Sequence, residues 1–161
     1  MGLNIYDERL SKQAVIKIAS SALGVQELLD RLNRIGDDSV VQVFDTDFII
    51  NKTHLLGAYL NAVMAFKERR NIAKSASMEM LLFAAMTTQI EDAIKIVGIK
   101  SPLGFVLFAD KPESYEKIRK FLTKEHDFLP TRKHIKDAAS RFGILEDYDK
   151  NILSKMALSR L

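Results

Sequence analysis

Hydrophobic and polar positions follow two rhythms along this chain, a tight clustering of β-branched residues and a spacing of three to four. Ala14–Ala19 clusters β-branched residues and reads as a short strand, and Leu3–Tyr6 reads as an earlier one. Val25, Leu28, Leu29 and Leu32 recur at helical spacing, so a helix capped by Ser20 or Ser21 is expected to run to about Ile35, where Gly36 stops it. Ser39–Phe44 is the second clear strand. Leu55, Leu56, Tyr59, Leu60, Val63 and Met64 then mark one buried face of a helix that begins at Asn51 or Thr53. It runs into Lys67-Glu68-Arg69-Arg70, cations that suit the carboxyl end of a helix dipole. Ser75 or Ser77 caps a further helix, with Met78, Leu81, Leu82 and Ala85 inward; Ile90, Ala93, Ile94 and Val97 mark another that Gly98 closes.

Leu103–Ala109 is apolar throughout, which places it at the centre of a sheet. Pro112 opens a helix aligned on Tyr115, Ile118 and Leu122, and two more are expected at about 131–142 and 146–160, broken at Gly143. Strands this few and this scattered do not make a doubly wound fold. The expectation is an α+β two-layer sandwich: a small, largely antiparallel sheet covered on one side by helices, with residues 1–161 as one domain.

Composition changes this picture mainly by exclusion. No apolar run reaches the ~18 residues of a membrane span, and Asp7 and Glu8 stand where a signal peptide has its apolar segment. The chain has no cysteine, so it has no disulfide, thiolate metal site or thiol nucleophile, and a cytoplasmic location is expected. The net charge of +3 is unevenly spread, at −3 over residues 1–50, +2 over 51–110 and +4 over 111–161. A polyanion would meet the middle or the end of the chain.

Catalytic motifs are absent. His54, His126 and His134 form no HExxH pattern, and a histidine at a helix start is more often a cap or surface group than a general base. Asp45-Thr46-Asp47 has the form of a metal-binding pair but reads better as a turn. Gly98-Ile99-Lys100-Ser101 lacks the glycines of a phosphate loop and follows a helix where that loop follows a strand. Residues 135–156 resemble a helix-turn-helix, but its second helix would open with Glu146, Asp147 and Asp149, which repel a DNA backbone. Neither catalysis nor DNA reading is expected, and no cofactor or metal. The apolar ridge Ile152, Leu153 and Met156 on the last helix either packs on the chain's own core or offers a face to a partner protein.

Lys67, Arg69, Arg70 and Lys74 set four cations against the one anion Glu68 within eight residues. Such a cluster is either a solvated helix end or a cradle for single-stranded nucleic acid, whose phosphates need cations and whose bases need aromatic or polar pockets. Tyr59, Phe66 and Phe83 lie near it in sequence.

Asn51-Lys52-Thr53-His54-Leu55-Leu56, Ala58, Ala62, Ser75-x-Ser77-x-Glu79-x-Leu81-Leu82, Gln89-Ile90-x-x-Ala93 and Gly98-Ile99 together resemble the small accessory subunit of the archaeal and eukaryotic KEOPS complex. That family includes the human PRPK-binding protein. The resemblance spans residues 39–109 and extends more loosely to both ends. It implies a non-catalytic subunit of a complex that makes threonylcarbamoyladenosine in tRNA. Such a subunit binds the amino-terminal lobe of a kinase-like ATPase and holds the single-stranded 3′ CCA end of tRNA. Carried onto this chain, it makes Lys52, Arg69, Arg70 and Lys74 phosphate contacts, matches Ser75, Glu79 and Gln89 to polar motif positions, and lets Asn51 and His54 either close the pocket or cap their helix. Glu79 is a candidate for base-edge recognition. Ile152, Leu153 and Met156 fall in the region assigned to the kinase-like partner. The rival expectation is a regulator of that ATPase that never touches RNA.

Overall fold

The computed structural model describes residues 12–36 and 38–161; the strand expected at Leu3–Tyr6 lies outside them. Four strands, β1 (Val15–Ser20), β2 (Val41–Phe44), β3 (Phe105–Ala109) and β4 (Lys124–Asp127), form one antiparallel sheet in the order β2-β3-β1-β4. Val15 faces Ala109 across β1 and β3, Val41 faces the same Ala109 from β2, and Lys17 faces Asp127 on β4. β3 is central and fully buried, as its uninterrupted apolar sequence requires.

A strand that is apolar on both faces needs cover on both. Successive side chains of a strand point to opposite faces. Ile16, Phe44, Val106 and Phe108 accordingly face α2 (Lys52–Lys67), α3 (Ala76–Ala85), α4 (Ile90–Val97), α6 (Arg132–Ser140) and α7 (Tyr148–Leu158). Ala19, Val41, Val43, Phe105, Leu107 and Ala109 face α1 (Val25–Asn33) and α5 (Pro112–Arg119) through Leu28, Tyr115 and Ile118. The α+β class and antiparallel sheet match the expectation. The helices cover both sides of the sheet where one was expected.

α2 and α3 form the thick layer's centre. Asn51 caps α2 by accepting from the His54 amide, and Ser75 caps α3 by accepting from the Met78 amide. Both helices end with a non-glycine residue in the left-handed region, Arg69 at φ 56° after α2 and Met86 at φ 57° after α3. At each, paired bonds close the helix end: Arg70 N–H to Ala65 O with Arg69 N–H to Phe66 O, and Thr87 N–H to Leu82 O with Met86 N–H to Phe83 O. Among the described residues, no helix is long and apolar enough to cross a membrane.

Two dismissed motifs meet each other. Asp45 accepts from the Asp47 amide to start a 3-10 turn over Thr46–Phe48, and its other oxygen takes Lys100 Nζ at 2.8 Å. The turn reading of Asp45-Thr46-Asp47 holds, and Lys100 is an ion-pair partner within the chain.

Candidate RNA-end cleft and partner face

A cleft of about 390 Å³ opens between the carboxyl half of α1 and the amino end of α3. Leu29, Leu32, Ile35, Phe66 and Met78 give it apolar walls, and Lys74, Ser75 and Ser77 bring a cation and two hydroxyls to its rim. Ser75 spends its hydroxyl on the Met78 amide, but the first amides of α3 have no partner within the helix, so a partial positive charge faces the cleft. Gln42 also lines it but is occupied: its amide donates to Ser77 O and its carbonyl accepts from Val43 N–H.

The loop that feeds this cleft, residues 68–75, is exposed except for Ala73. Arg69 and Arg70 stand on this loop with Lys74 but do not line the cleft, and Arg70 pairs with Glu68. Ile72, 45% exposed, sets an apolar side chain among these cations, which composition alone did not single out. Of the three aromatics noted in the sequence, Phe66 reaches the cleft. Tyr59 is half-buried against Phe108, and Phe83 lies buried under the Arg160 guanidinium, 4.0 Å from its ring centroid.

The remaining candidates go elsewhere. His54 is wholly buried: its Nδ1 accepts from Ile50 N–H at 3.0 Å, so Nε2 carries the proton and donates to Ala84 O at 2.8 Å. Burial lowers its pKa from the usual 6.5 to about 4, the bond to Ala84 opposing this only in part. A neutral, enclosed imidazole with both nitrogens used cannot meet RNA; His54 pins the start of α2 to the end of α3. That contact also makes the two helices antiparallel, so Lys52 and Gln89 lie at the end of the hairpin opposite Lys74. The ten residues of α3 separate the two ends by roughly 15 Å. The predicted cations therefore do not form one group.

Glu79 is corrected as well. Its carboxylate, fully buried, accepts from Ala73 N–H at 2.7 Å and Ile72 N–H at 3.0 Å and pairs with Arg160 at 2.6 Å. Base-edge reading is closed to it, because nothing of it reaches solvent. It holds the cationic loop down and ties it to the end of the chain. A lone carboxylate in an otherwise apolar helix was the sequence signal for this.

At the far side, α7 packs on α2. Gly57 makes the approach possible: a Cβ there would sit 2.8 Å from Leu153 Cδ2. Ile152 and Met156 are fully buried in the core, so this part of the ridge serves the chain itself, while Leu153 stays half-exposed. Asn51 Nδ2 donates to Asp149 at 2.8 Å and fixes the start of α7 against that of α2. Leu158 stands outward at 61% exposure and Leu145, just before α7, at 79%.

The family model for kinase binding protein CGI-121 matches residues 19–127, about two thirds of the chain, from the end of β1 through β2 and β3 to β4. This chain belongs to the CGI-121 family. The match bears out the resemblance read over residues 39–109, and it ends before α6 and α7. The regulatory protein Cgi121 of Methanocaldococcus jannaschii is 34% identical to the chain over 86 residues, 53% of this chain and 56% of that protein. The chain thus matches about half the length of this curated relative. The cleft between α1 and α3 and the outward side of α7 are surfaces that the core leaves open.

Proposed function

We propose that this chain is a non-catalytic KEOPS subunit that holds the single-stranded 3′ CCA end of tRNA in the α1–α3 cleft and binds a kinase-like ATPase, in support of threonylcarbamoyladenosine formation. The observation that carries the RNA part is the cleft itself. An unpaired RNA end needs positive charge for its phosphates and apolar platforms for its bases. Lys74 and the amino end of α3 supply the first; Phe66, Leu29 and Leu32 supply the second. Arg69 and Arg70 extend the charge along the loop, and the exposed Ile72 offers a further surface for a base. Lys52, Gln89, His54 and Glu79 take no part in this grip. Affinity falls with salt, at a slope of about −0.7 in log K per phosphate neutralised on a single strand.

The kinase-like partner is assigned to the outward side of α7, with the exposed Leu158 in place of the buried Ile152 and Met156 and with Leu153, packed over Gly57, at its edge. The description of the family as kinase-binding supports a partner of this class.

The test compares the full chain binding to intact tRNA and to tRNA lacking its CCA end. Intact tRNA is expected to bind more tightly, and Lys74→Glu to abolish the difference. Equal affinity for the two RNAs ends this mode of binding.

A second reading, a regulator of the kinase-like ATPase without RNA contact, is favoured by the name of the archaeal relative, a regulatory protein. Charge reversal at Arg69 and Lys74 separates the two. A pure regulator keeps the full activity of its complex after that change, and an RNA-holding subunit loses it.

A further inference from the structure

On the opposite face of the sheet from α2 and α3, four cations converge where α1 meets α5. Arg31 and Arg34 from α1 and Lys117 and Lys120 from the end of α5 line a shallow cleft of about 250 Å³, with Ile35 and Phe121 as its floor. The Phe121 ring holds two of them: the Arg31 guanidinium lies 5.6 Å from its centroid and Lys120 Nζ 5.2 Å. Such contacts orient cationic heads without neutralising them.

The surrounding anions do little to cancel this charge. Glu27 meets Arg31 at 3.4 Å, and Asp38 approaches Lys117 only to 3.9 Å, both pairs in solvent. Asp30 is held by Gln26, while Glu116 and Glu125 pair with Arg119 on the outer side of α5. Among the described residues, neither Arg34 nor Lys120 has a carboxylate within ion-pair distance. All four cations are exposed, so the fold gains no buried ion pair in return for their mutual repulsion.

This patch adjoins the RNA-end cleft. Ile35 lines both, and the carboxyl half of α1 is the ridge between them, with Leu29 and Leu32 on one flank and Arg31 and Arg34 on the other. A strand seated in the first cleft and continuing over this ridge brings its next phosphates onto the four cations. In a tRNA, those phosphates belong to the base-paired stem. Double-stranded RNA is held largely through its backbone and 2′-hydroxyls, which suits exposed, flexible cations with no deep pocket.

We propose that Arg31, Arg34, Lys117 and Lys120 form a second RNA site, which grips the phosphate backbone of the duplex adjoining the unpaired end. This rests on the RNA-end reading above and adds a distinct ligand to it. The two sites divide the work: the α1–α3 cleft takes the unpaired nucleotides, and the α1–α5 patch sets the direction of the stem.

The experiment measures binding of the full chain to three labelled RNAs by fluorescence anisotropy: a short single strand ending in CCA, a stem-loop with a 3′ CCA overhang, and the same stem-loop without the overhang. The R34E/K120E double variant changes only exposed side chains, and an unchanged melting temperature confirms its fold. It is expected to weaken both stem-loops about tenfold or more, to leave the single strand within about twofold, and to flatten the stem-loop salt slope by about two. The proposal is overturned if the stem-loops bind the variant as well as the parent, or if the single strand loses as much as they do. A variant that keeps RNA binding but loses a kinase-like partner gives the patch to protein, and overturns it as well. The RNA-end reading has its own readout: without it, the overhang adds nothing to stem-loop affinity, while sensitivity of both stem-loops to R34E/K120E still upholds the duplex site.

Discussion

Glu79→Ala is expected to destabilise the chain by about 4 kcal/mol, and the reason lies in what the carboxylate leaves behind. In the native fold it satisfies the Ile72 and Ala73 amides and faces Arg160, whose side chain is 11% exposed. Breaking a buried ion pair from one side costs about 3–5 kcal/mol, because the other charge remains without a partner. The freed Ala73 amide, also buried, brings a part of the ~1–3 kcal/mol typical of an orphaned donor, and the two losses overlap. Arg160→Met is milder, about 2 kcal/mol, since Glu79 keeps two backbone donors and Met fills the space over Phe83. Equilibrium urea unfolding of the parent, both single variants and the double variant measures the coupling directly. A coupling of about 2 kcal/mol or more is expected for charges in contact. A coupling near zero, or a loss below about 1 kcal/mol for Glu79→Ala, would refute the idea that the end of the chain clamps the cationic loop.

The other predictions follow from single side chains. His54 stays neutral in the fold, with a pKa of about 4 against 6.5 unfolded, so the unfolded state takes up its proton first as pH falls. Stability is complete above pH 6.5 and is expected to drop by about 3 kcal/mol on acidification to pH 4. Unfolding of His54→Asn across that window should show the slope removed; Asp127 and Asp137, held below the usual carboxylate range by Lys17 and Lys133, act only at lower pH. Arg69→Gly relieves a left-handed residue and is expected to raise stability by about 0.5–1 kcal/mol while weakening RNA binding, read by thermal melts and anisotropy. Ile152→Ala empties a fully buried site and is expected to cost about 3 kcal/mol in urea unfolding. Leu158→Ser, on the exposed side of α7, is expected to leave stability unchanged and to weaken capture of the kinase-like partner in a pull-down.

Much of the fold was legible because its strands announce themselves. β1, β2 and β3 are runs of Val, Ile and Phe and appear within a few residues of their expected places. β4 escaped notice because Lys124-Glu125-His126-Asp127 carries no apolar signal. It is an edge strand, made by pairing with β1 and not by its own propensity, and its charges discourage further pairing. α1 starts at Val25 behind Gly24, not at Ser20 or Ser21. Ser20 is drawn into β1, and the Ser21 hydroxyl bonds Phe121 O and the Leu23 amide. The apolar stripes are only partly inward: Val63, Ile90 and Ile94 lie exposed, whereas Ala58, Ala62 and Ala65 are fully buried in the main core. The candidate site was legible where charge stays near its place in sequence, as at Arg69, Arg70 and Lys74. It was illegible where folding carries a residue inside, as with His54 and Glu79, or to the far end of a hairpin, as with Lys52 and Gln89.

The two apolar layers are of unequal depth. α3 lies in the thick layer, with every residue from Glu79 to Ala85 buried, while α1 rests on the sheet through Leu28 alone among fully buried side chains. Hydrogen exchange should therefore reach the amides of α1 well before those of α3. The cleft between them has one fixed jaw and one yielding jaw. Its width can adjust to an occupant at the expense of a thin contact, with no disturbance of the main core.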